Sequence, residues 1–280
     1  MGGESKINYR SYGEGETVVL LHGFAGSVSH WEPLRPQLAK YYRVVVPNLT
    51  HLTLGREAFS FSAQIDELAR FLRSPEFDKP VHLVGLSYGG ALCWGLAIRY
   101  PELIARVVLI NPMPPHPVSS FQWRALQIFL SLPVRKAVLG FMLRTGWGRN
   151  FLRRAAEIFR NVDQAPALDR VESLEGRKLL LIAHLIHRFA WIIKSERWHI
   201  WANKLEYWTP ETLFICDDED PLIRFDAYEE LSRKMGCENF FVTQGAGHIS
   251  PLNSPHLIGW EVMKFFLDKA PVRAPSKDVG

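Results

Sequence analysis

Four short apolar runs, Val18–Leu21, Val44–Val46, Val81–Val84 and Val107–Ile110, recur through the first 110 residues with helical patterns between them. Strands that read as unbroken apolar runs are covered on both faces, which is the situation in a parallel sheet flanked by helices. The intervening stretches supply those helices. Trp31–Lys40 is one; Phe61–Leu72, with Ile65, Leu68, Ala69 and Leu72 on one stripe and Ser60 or Ser62 as N-cap, is another. A β-α-β-α order predicts an α/β, doubly wound, mostly parallel sheet with right-handed crossovers.

The rhythm stops at Asn111–Pro117, where four prolines in seven residues cannot continue a regular element. It resumes with a strand at Thr212–Cys216, a helix at Phe225–Met235, a strand at Asn239–Thr243 and an amphipathic helix at Pro255–Leu267. Between lie helical stripes such as Phe121, Ala125, Ile128, Phe129 and Leu132 without strand-like alternation. The expected organisation is a core of residues 1–111 and 211–270, a helical cap insertion at 112–210, and a polar tail at 271–280 expected to be disordered.

Composition narrows the function classes. The chain has 280 residues, 47% hydrophobic and 22% charged, and a net charge of +4, with no basic block or RNA-binding signature, so no nucleic-acid partner is expected. The basicity is uneven: residues 112–210 hold 15 Lys and Arg against 7 Asp and Glu. With six Trp in that segment, two readings stand: a peripheral contact with an anionic membrane surface, or a solvated face of snorkelling basic side chains. The apolar stretch Leu179–Ile193, broken by His184, His187 and Arg188, is too short to span a bilayer. The N-terminus lacks an apolar signal core, Lys6 stands where a myristoylation signal wants Ser or Thr, and Cys93, Cys216 and Cys237 form no C-x-x-C pattern. A cytoplasmic, peripherally membrane-associated at most, location is the expectation.

The chemistry is concentrated at three points. Gly85-Leu-Ser-Tyr-Gly89 follows a predicted strand and precedes a predicted helix at Tyr88–Arg99, which places Ser87 on a cramped strand-to-helix turn at the positive end of a helix. A serine hydroxyl needs a base, and the base needs a group to fix its tautomer. Gln244-Gly-Ala-Gly-His-Ile-Ser250 puts His248 on a Gly-rich loop after a predicted strand, in the order nucleophile, acid, base. Between them Cys216-Asp-Asp-Glu-Asp-Pro221 closes a strand with carboxylates, of which Asp220 is the choice for the acid and Asp217 and Asp218 the substitutes. Acyl transfer also needs two oxyanion donors, each worth roughly 3 to 4 kcal/mol. The backbone N–H of Tyr88 and that of Phe24, in the His22-Gly-Phe-Ala-Gly26 loop, are assigned to them.

LLHGFAGS, GLSYGG, DDEDP and GAGH, in that order and spacing, resemble the α/β-hydrolase superfamily over the chain except the insertion. The resemblance implies an eight-stranded, mostly parallel sheet with a helical cap, Ser87 as nucleophile, Asp220 as acid, His248 as base, and Phe24 and Tyr88 as oxyanion donors. One departure is visible: where the family commonly has D-x-x-G-x-G-x-S after the fourth strand, this chain has Pro47-Asn-Leu-Thr-His-Leu-Thr-Leu-Gly55. A serine at the elbow argues against the dehalogenase and epoxide hydrolase branches, which use an aspartate there.

The leading expectation is hydrolysis of a carboxylic ester of a hydrophobic or lipid-like substrate through an acyl-enzyme. Thioesterase, C–C hydrolase and acyltransferase chemistry would use the same residues, and a non-catalytic ligand receptor on the same fold is the alternative of another class. Substrate-pocket candidates are His22, which could equally pack its loop, His51, which either lines the pocket or faces solvent, Trp123 and Ile249. No cofactor and no metal are expected; His184 and His187 are spaced for a metal on a helix but lack a third ligand. The oligomeric state is left open.

Overall fold

Val, Leu and Ile dominate the predicted strands because branched side chains pack well on a pleated surface, and Gly or Pro residues bound them. A computed structural model of the chain describes residues 7–54, 59–115, 145 and 188–268. Its strands are β1 (Tyr9–Tyr12), β2 (Thr17–Leu21), β3 (Arg43–Pro47), β4 (Val81–Leu86), β5 (Ile104–Ile110), β6 (Glu211–Asp217) and β7 (Phe240–Thr243). They form one sheet in the order β1-β3-β2-β4-β5-β6-β7. Only β1 runs antiparallel, pairing Tyr9 with Pro47 and Tyr12 with Val44.

The predicted α/β architecture is present, with a seven-stranded sheet among the described residues where the resemblance implies eight strands. A single strand, β1, lies between Ile7 and β2, because Gly13 and Gly15, both at positive φ, turn the chain straight into β2. β1 itself escapes the sequence reading. Its residues Tyr-Arg-Ser-Tyr are half-exposed at a sheet edge and carry no apolar run.

The helices are α1 (Arg35–Leu38), α2 (Thr50–Leu54), α3 (Phe61–Leu72), α4 (Tyr88–Arg99), α5 (Trp198–Lys204), α6 (Phe225–Lys234), α7 (Ser250–Asn253) and α8 (Pro255–Leu267), and residues 188–195 are also helical. The helix expected over Trp31–Lys40 is corrected to a 3-10 turn, Val28–Trp31, followed by α1. Pro36 lacks an N–H and tolerates only the first turn of a helix, so the chain must restart there. Ser60, not Ser62, caps α3, accepting from the Ala63 N–H at 3.2 Å.

The period-two alternation of the strands divides the core. Val18, Leu20, Val44 and Val84 turn to one face and pack under Ile258, Val262 and Phe266 of α8. Val19, Leu21, Val45 and Leu83 turn to the other and meet Ile65 and Leu68 of α3 with Leu92 and Trp94 of α4. Each such side chain, fully withdrawn from water, contributes about 1.5–3 kcal/mol. Buried Arg106 of β5 ties the layers by donating to the Phe265 and Phe266 carbonyls at the end of α8 while pairing with Glu211 of β6. That tie lies near the N-terminal ends of β5 and β6, and the loops leaving the strands' C-terminal ends carry the site. Most of the proposed cap, with Trp123, Trp147, His184 and His187, and the tail 271–280 lie outside the described residues. No helix among the described residues is long and apolar enough to cross a membrane.

Candidate active site

Ser87 occupies the turn from β4 into α4 at φ 55° and ψ −117°, a backbone conformation that a non-glycine residue holds only when its surroundings force it. Glycines on either side let the chain pack closely enough to hold it. A Cβ on Gly89 would lie 2.0 Å from the Leu21 carbonyl oxygen, and one on Gly85 would lie 2.5 Å from Cys93 Sγ. Two hydrogen bonds complete the turn: Ser87 N–H donates to Ile110 O at 2.9 Å, and Met113 N–H donates to Ser87 O at 3.0 Å. The hydroxyl is thus presented above the sheet at the N-terminus of α4.

His248 reaches this hydroxyl from the loop between β7 and α7. Its Nε2 stands 2.8 Å from Ser87 Oγ, and its Nδ1 stands 2.7 Å from Asp220 Oδ2. With a carboxylate at Nδ1, that nitrogen carries the proton and Nε2 is left to accept from the serine. The Asp220 side chain is fully buried and that of His248 is 11% exposed. Burial alone would raise the Asp220 carboxyl. The hydrogen bond and charge of His248, with donors from Tyr228 and Leu222, outweigh it and hold the group below the usual carboxylate range.

The alternatives for the acid separate cleanly. Asp217 is completely buried and accepts from Thr243 Oγ1 at 2.7 Å, Ala246 N–H at 2.8 Å and Glu219 N–H at 3.1 Å, so it fastens the end of β6 to the histidine loop. Asp218 is exposed. Only Asp220 is brought to His248.

Two contributors were not foreseen. Asn111, at the end of β5 with φ 43°, donates through Nδ2 to the carbonyls of Gly247 at 3.1 Å and His248 at 2.9 Å, and accepts through Oδ1 from the Asp217 N–H at 2.9 Å. Its position at the head of the proline-rich exit, immediately after a strand, was the signal available. Tyr228 of α6, wholly buried, donates its hydroxyl to Asp220 Oδ2. A tyrosine on the apolar face of a helix gives no sign of that in sequence.

On the other side of Ser87, the loop after β2 lies close: a Cβ on Gly23 would be 3.3 Å from Ser87 Cβ and 3.8 Å from its Oγ. Among the described residues, the N–H groups of Phe24 and Tyr88 donate to no acceptor. Around them stands an aromatic group, with the Phe24 ring 5.0 Å from Phe189 and 5.9 Å from Tyr88. The Tyr88 hydroxyl donates to Gln64 Oε1 at 3.0 Å. Glu196, from the stretch that bears Phe189, accepts at 2.9 Å from both the N–H and the hydroxyl of Ser62, anchoring that stretch to the start of α3.

The pocket candidates fare differently. His22 is corrected to a structural residue: it is completely buried, accepts from the Leu49 N–H on Nε2 at 3.2 Å, and donates from Nδ1 to Gly23 O at 2.9 Å. It ties the loop after β2 to the loop after β3, and burial lowers its pKa from 6.5 to about 4. Ile249 is also corrected, since it is 7% exposed and packs with Val18 and Leu20 in the core. His51 lies half-buried on α2, the short helix that replaces the family's usual loop; Asn48 Oδ1 caps that helix by accepting from the Thr50 N–H. Trp123 lies outside the described residues.

A serine on a strained elbow, at the C-terminal edge of a mostly parallel sheet and in line with a histidine and a carboxylate, defines a hydrolase of the α/β class. The chain belongs to the Alpha/beta hydrolase family, whose model matches residues 18–258. It is 32% identical over 118 residues to the 2-hydroxy-6-oxo-2,4-heptadienoate hydrolase of Pseudomonas putida, covering 40% of this chain and 42% of that protein. It is 32% identical over 117 residues to the 2-hydroxy-6-oxo-6-(2'-aminophenyl)hexa-2,4-dienoic acid hydrolase of Metapseudomonas resinovorans, covering 39% and 40% of the two chains. These matches span less than half the length of either relative. Among solved structures, a thermophilic esterase from Thermogutta terrifontis shares the fold with a TM-score of 0.67 at 21% identity, covering 93% of this chain and 92% of that one.

Proposed function

We propose that the chain is a serine hydrolase that cleaves a carboxylic ester of a hydrophobic or lipid-like substrate through an acyl-enzyme. The observation that carries this reading is the continuous hydrogen-bonded line from Ser87 Oγ through His248 to Asp220 Oδ2. In it, Ser87 Oγ attacks the ester carbonyl as its proton passes to His248 Nε2. The imidazolium so formed is stabilised by Asp220, which stays ionised. Charge developing on the carbonyl oxygen is met by the N–H groups of Phe24 and Tyr88. His248 then protonates the leaving alcohol; in the second half it takes a proton from the water that attacks the acyl carbonyl and hands it to Ser87 Oγ as the acid departs. The rings of Phe24, Phe189 and Tyr88 support an apolar substrate beside this line.

The test is labelling by a fluorophosphonate probe together with turnover of p-nitrophenyl esters of increasing acyl length. Ser87→Ala is expected to abolish labelling and to lower kcat by about a thousandfold or more. Labelling that persists in that variant would overturn the assignment.

The relatives named as hydrolases of 2-hydroxy-6-oxo-dienoates favour a second reading, cleavage of a carbon–carbon bond beside a ketone by the same residues. A 2-hydroxy-6-oxo-dienoate consumed much faster than any p-nitrophenyl ester decides for it. Contact of the basic cap with an anionic membrane is a separate proposal. It predicts co-sedimentation with phosphatidylserine vesicles that weakens as salt is raised.

A further inference from the structure

Asp220 is saturated with donors. Its Oδ1 accepts from the Leu222 N–H at 2.7 Å and the Ile223 N–H at 3.1 Å, while its Oδ2 accepts from both His248 Nδ1 at 2.7 Å and the Tyr228 hydroxyl. A carboxylate offers about four lone-pair sites, so these four donors fill them all and leave the group no freedom to turn. The two donors on Oδ2 come from different elements, α6 and the loop before α7, and they compete for the same oxygen.

We propose that Tyr228 is a positioning residue for the catalytic base, fixing the lone pair of Asp220 that faces His248 and drawing off part of the charge that Oδ2 would otherwise present to the imidazole. This rests on the reading of His248 as the base. Tyr228 is suited to the role because it is wholly buried in the core between α6 and the sheet, with its ring held on all sides. Burial, and then the Asp220 charge, push its phenol far above the ordinary range, so it remains a donor at any working pH. Among the described residues, the other titratable groups facing the pair are Cys216 and Asp217 of β6. Asp217 already has its own three donors. Without the phenol hydroxyl, Oδ2 would hold His248 alone, attract the imidazolium more strongly, and lose one of the donors that fix the carboxylate's torsion about Cβ–Cγ.

Tyr228→Phe keeps the ring and removes only the hydroxyl. With p-nitrophenyl butyrate from pH 5 to 9, kcat is expected to fall about tenfold with KM unchanged within about twofold, and the acid limb of kcat/KM to move up by about half a pH unit. The proton resonance of the His248 Nδ1–H is expected to move downfield as its acceptor strengthens. The rate of fluorophosphonate labelling at Ser87 is expected to fall in parallel with kcat. A variant with a lowered Tm but unchanged kcat, acid limb and resonance would show that Tyr228 only packs. Ser87→Ala run alongside separates the two readings. If it retains wild-type turnover, the serine mechanism and this inference both fall; if it is inactive while Tyr228→Phe behaves as wild type, only the role of Tyr228 falls.

Discussion

The side-chain amide of Asn111 donates to the main-chain carbonyl of His248 at 2.9 Å, so the histidine is held from behind by the residue that follows β5, the strand next to the one that leads to Ser87. The same amide group binds Gly247 and, through its oxygen, Asp217. One buried side chain thereby sets the spacing between the ends of β5 and β6 and the loop that carries His248. Asparagine suits the position because its short polar side chain tolerates the φ of 43° found there.

Asn111→Ala is expected to destabilise the protein by about 2–4 kcal/mol. Two part-buried carbonyls and one buried N–H lose their partner, and alanine is strained at positive φ. Urea unfolding measures this. A change smaller than about 0.5 kcal/mol would mean that the clamp contributes nothing.

Asp217 and Asp220 lie three residues apart, and their substitutions should separate stability from turnover. In Asp217→Asn the amide cannot accept from Thr243 Oγ1, Ala246 N–H and Glu219 N–H together, and a loss of about 2–4 kcal/mol is expected. In Asp220→Asn the histidine loses the partner that fixes its tautomer, and kcat is expected to fall by about a thousandfold or more with the fold intact. Parallel measurement of kcat and unfolding free energy checks both, and equal effects on turnover would contradict the division of roles.

His22 makes stability depend on pH. Folded, it stays neutral down to about pH 4, whereas the unfolded chain protonates it below about 6.5. Between those values the unfolded state binds more protons, so this part of the stability is complete above about pH 6.5 and is lost as pH falls toward 4. The loss amounts to roughly 3 kcal/mol. Comparing urea midpoints of the wild type and His22→Gln across pH 4 to 7 checks it. The variant should show a shallower slope, and parallel curves would place the pH dependence elsewhere.

Much of the architecture was legible because it depends on local pattern. The runs at Val18, Val44, Val81 and Val107 are apolar but for His82, and with helical patterns between them they suit a sheet covered on both faces. Ser87 and His248 were legible because Gly85 and Gly89 flank the one and Gly245 and Gly247 lead into the other, and glycine at such density marks backbone that must turn sharply. The break of the first helix at Pro36 is equally written in the residues, since proline has no N–H to continue a helix. What stayed hidden were groups whose work depends on side chains far apart in the chain. Tyr228 and Asn111 look like an ordinary helix tyrosine and an ordinary loop asparagine until α6 and β5 are packed against the histidine loop. His22 and Ile249 sit beside functional positions in sequence, yet the alternation of the strand and the end of the loop turn them into the core.

The amino-acid order by itself determined the α/β class, the elbow serine and the histidine loop, since backbone sterics and hydrophobic periodicity act over a few neighbouring residues. The sequence favours Asp220 among the carboxylates at 217, 218 and 220, but only the tertiary structure separates it from its two neighbours and decides which side chains hold it and the histidine in place. Lone-pair geometry at 2.7–3 Å is set by how whole elements pack, and a one-dimensional spacing of one or two residues cannot resolve it.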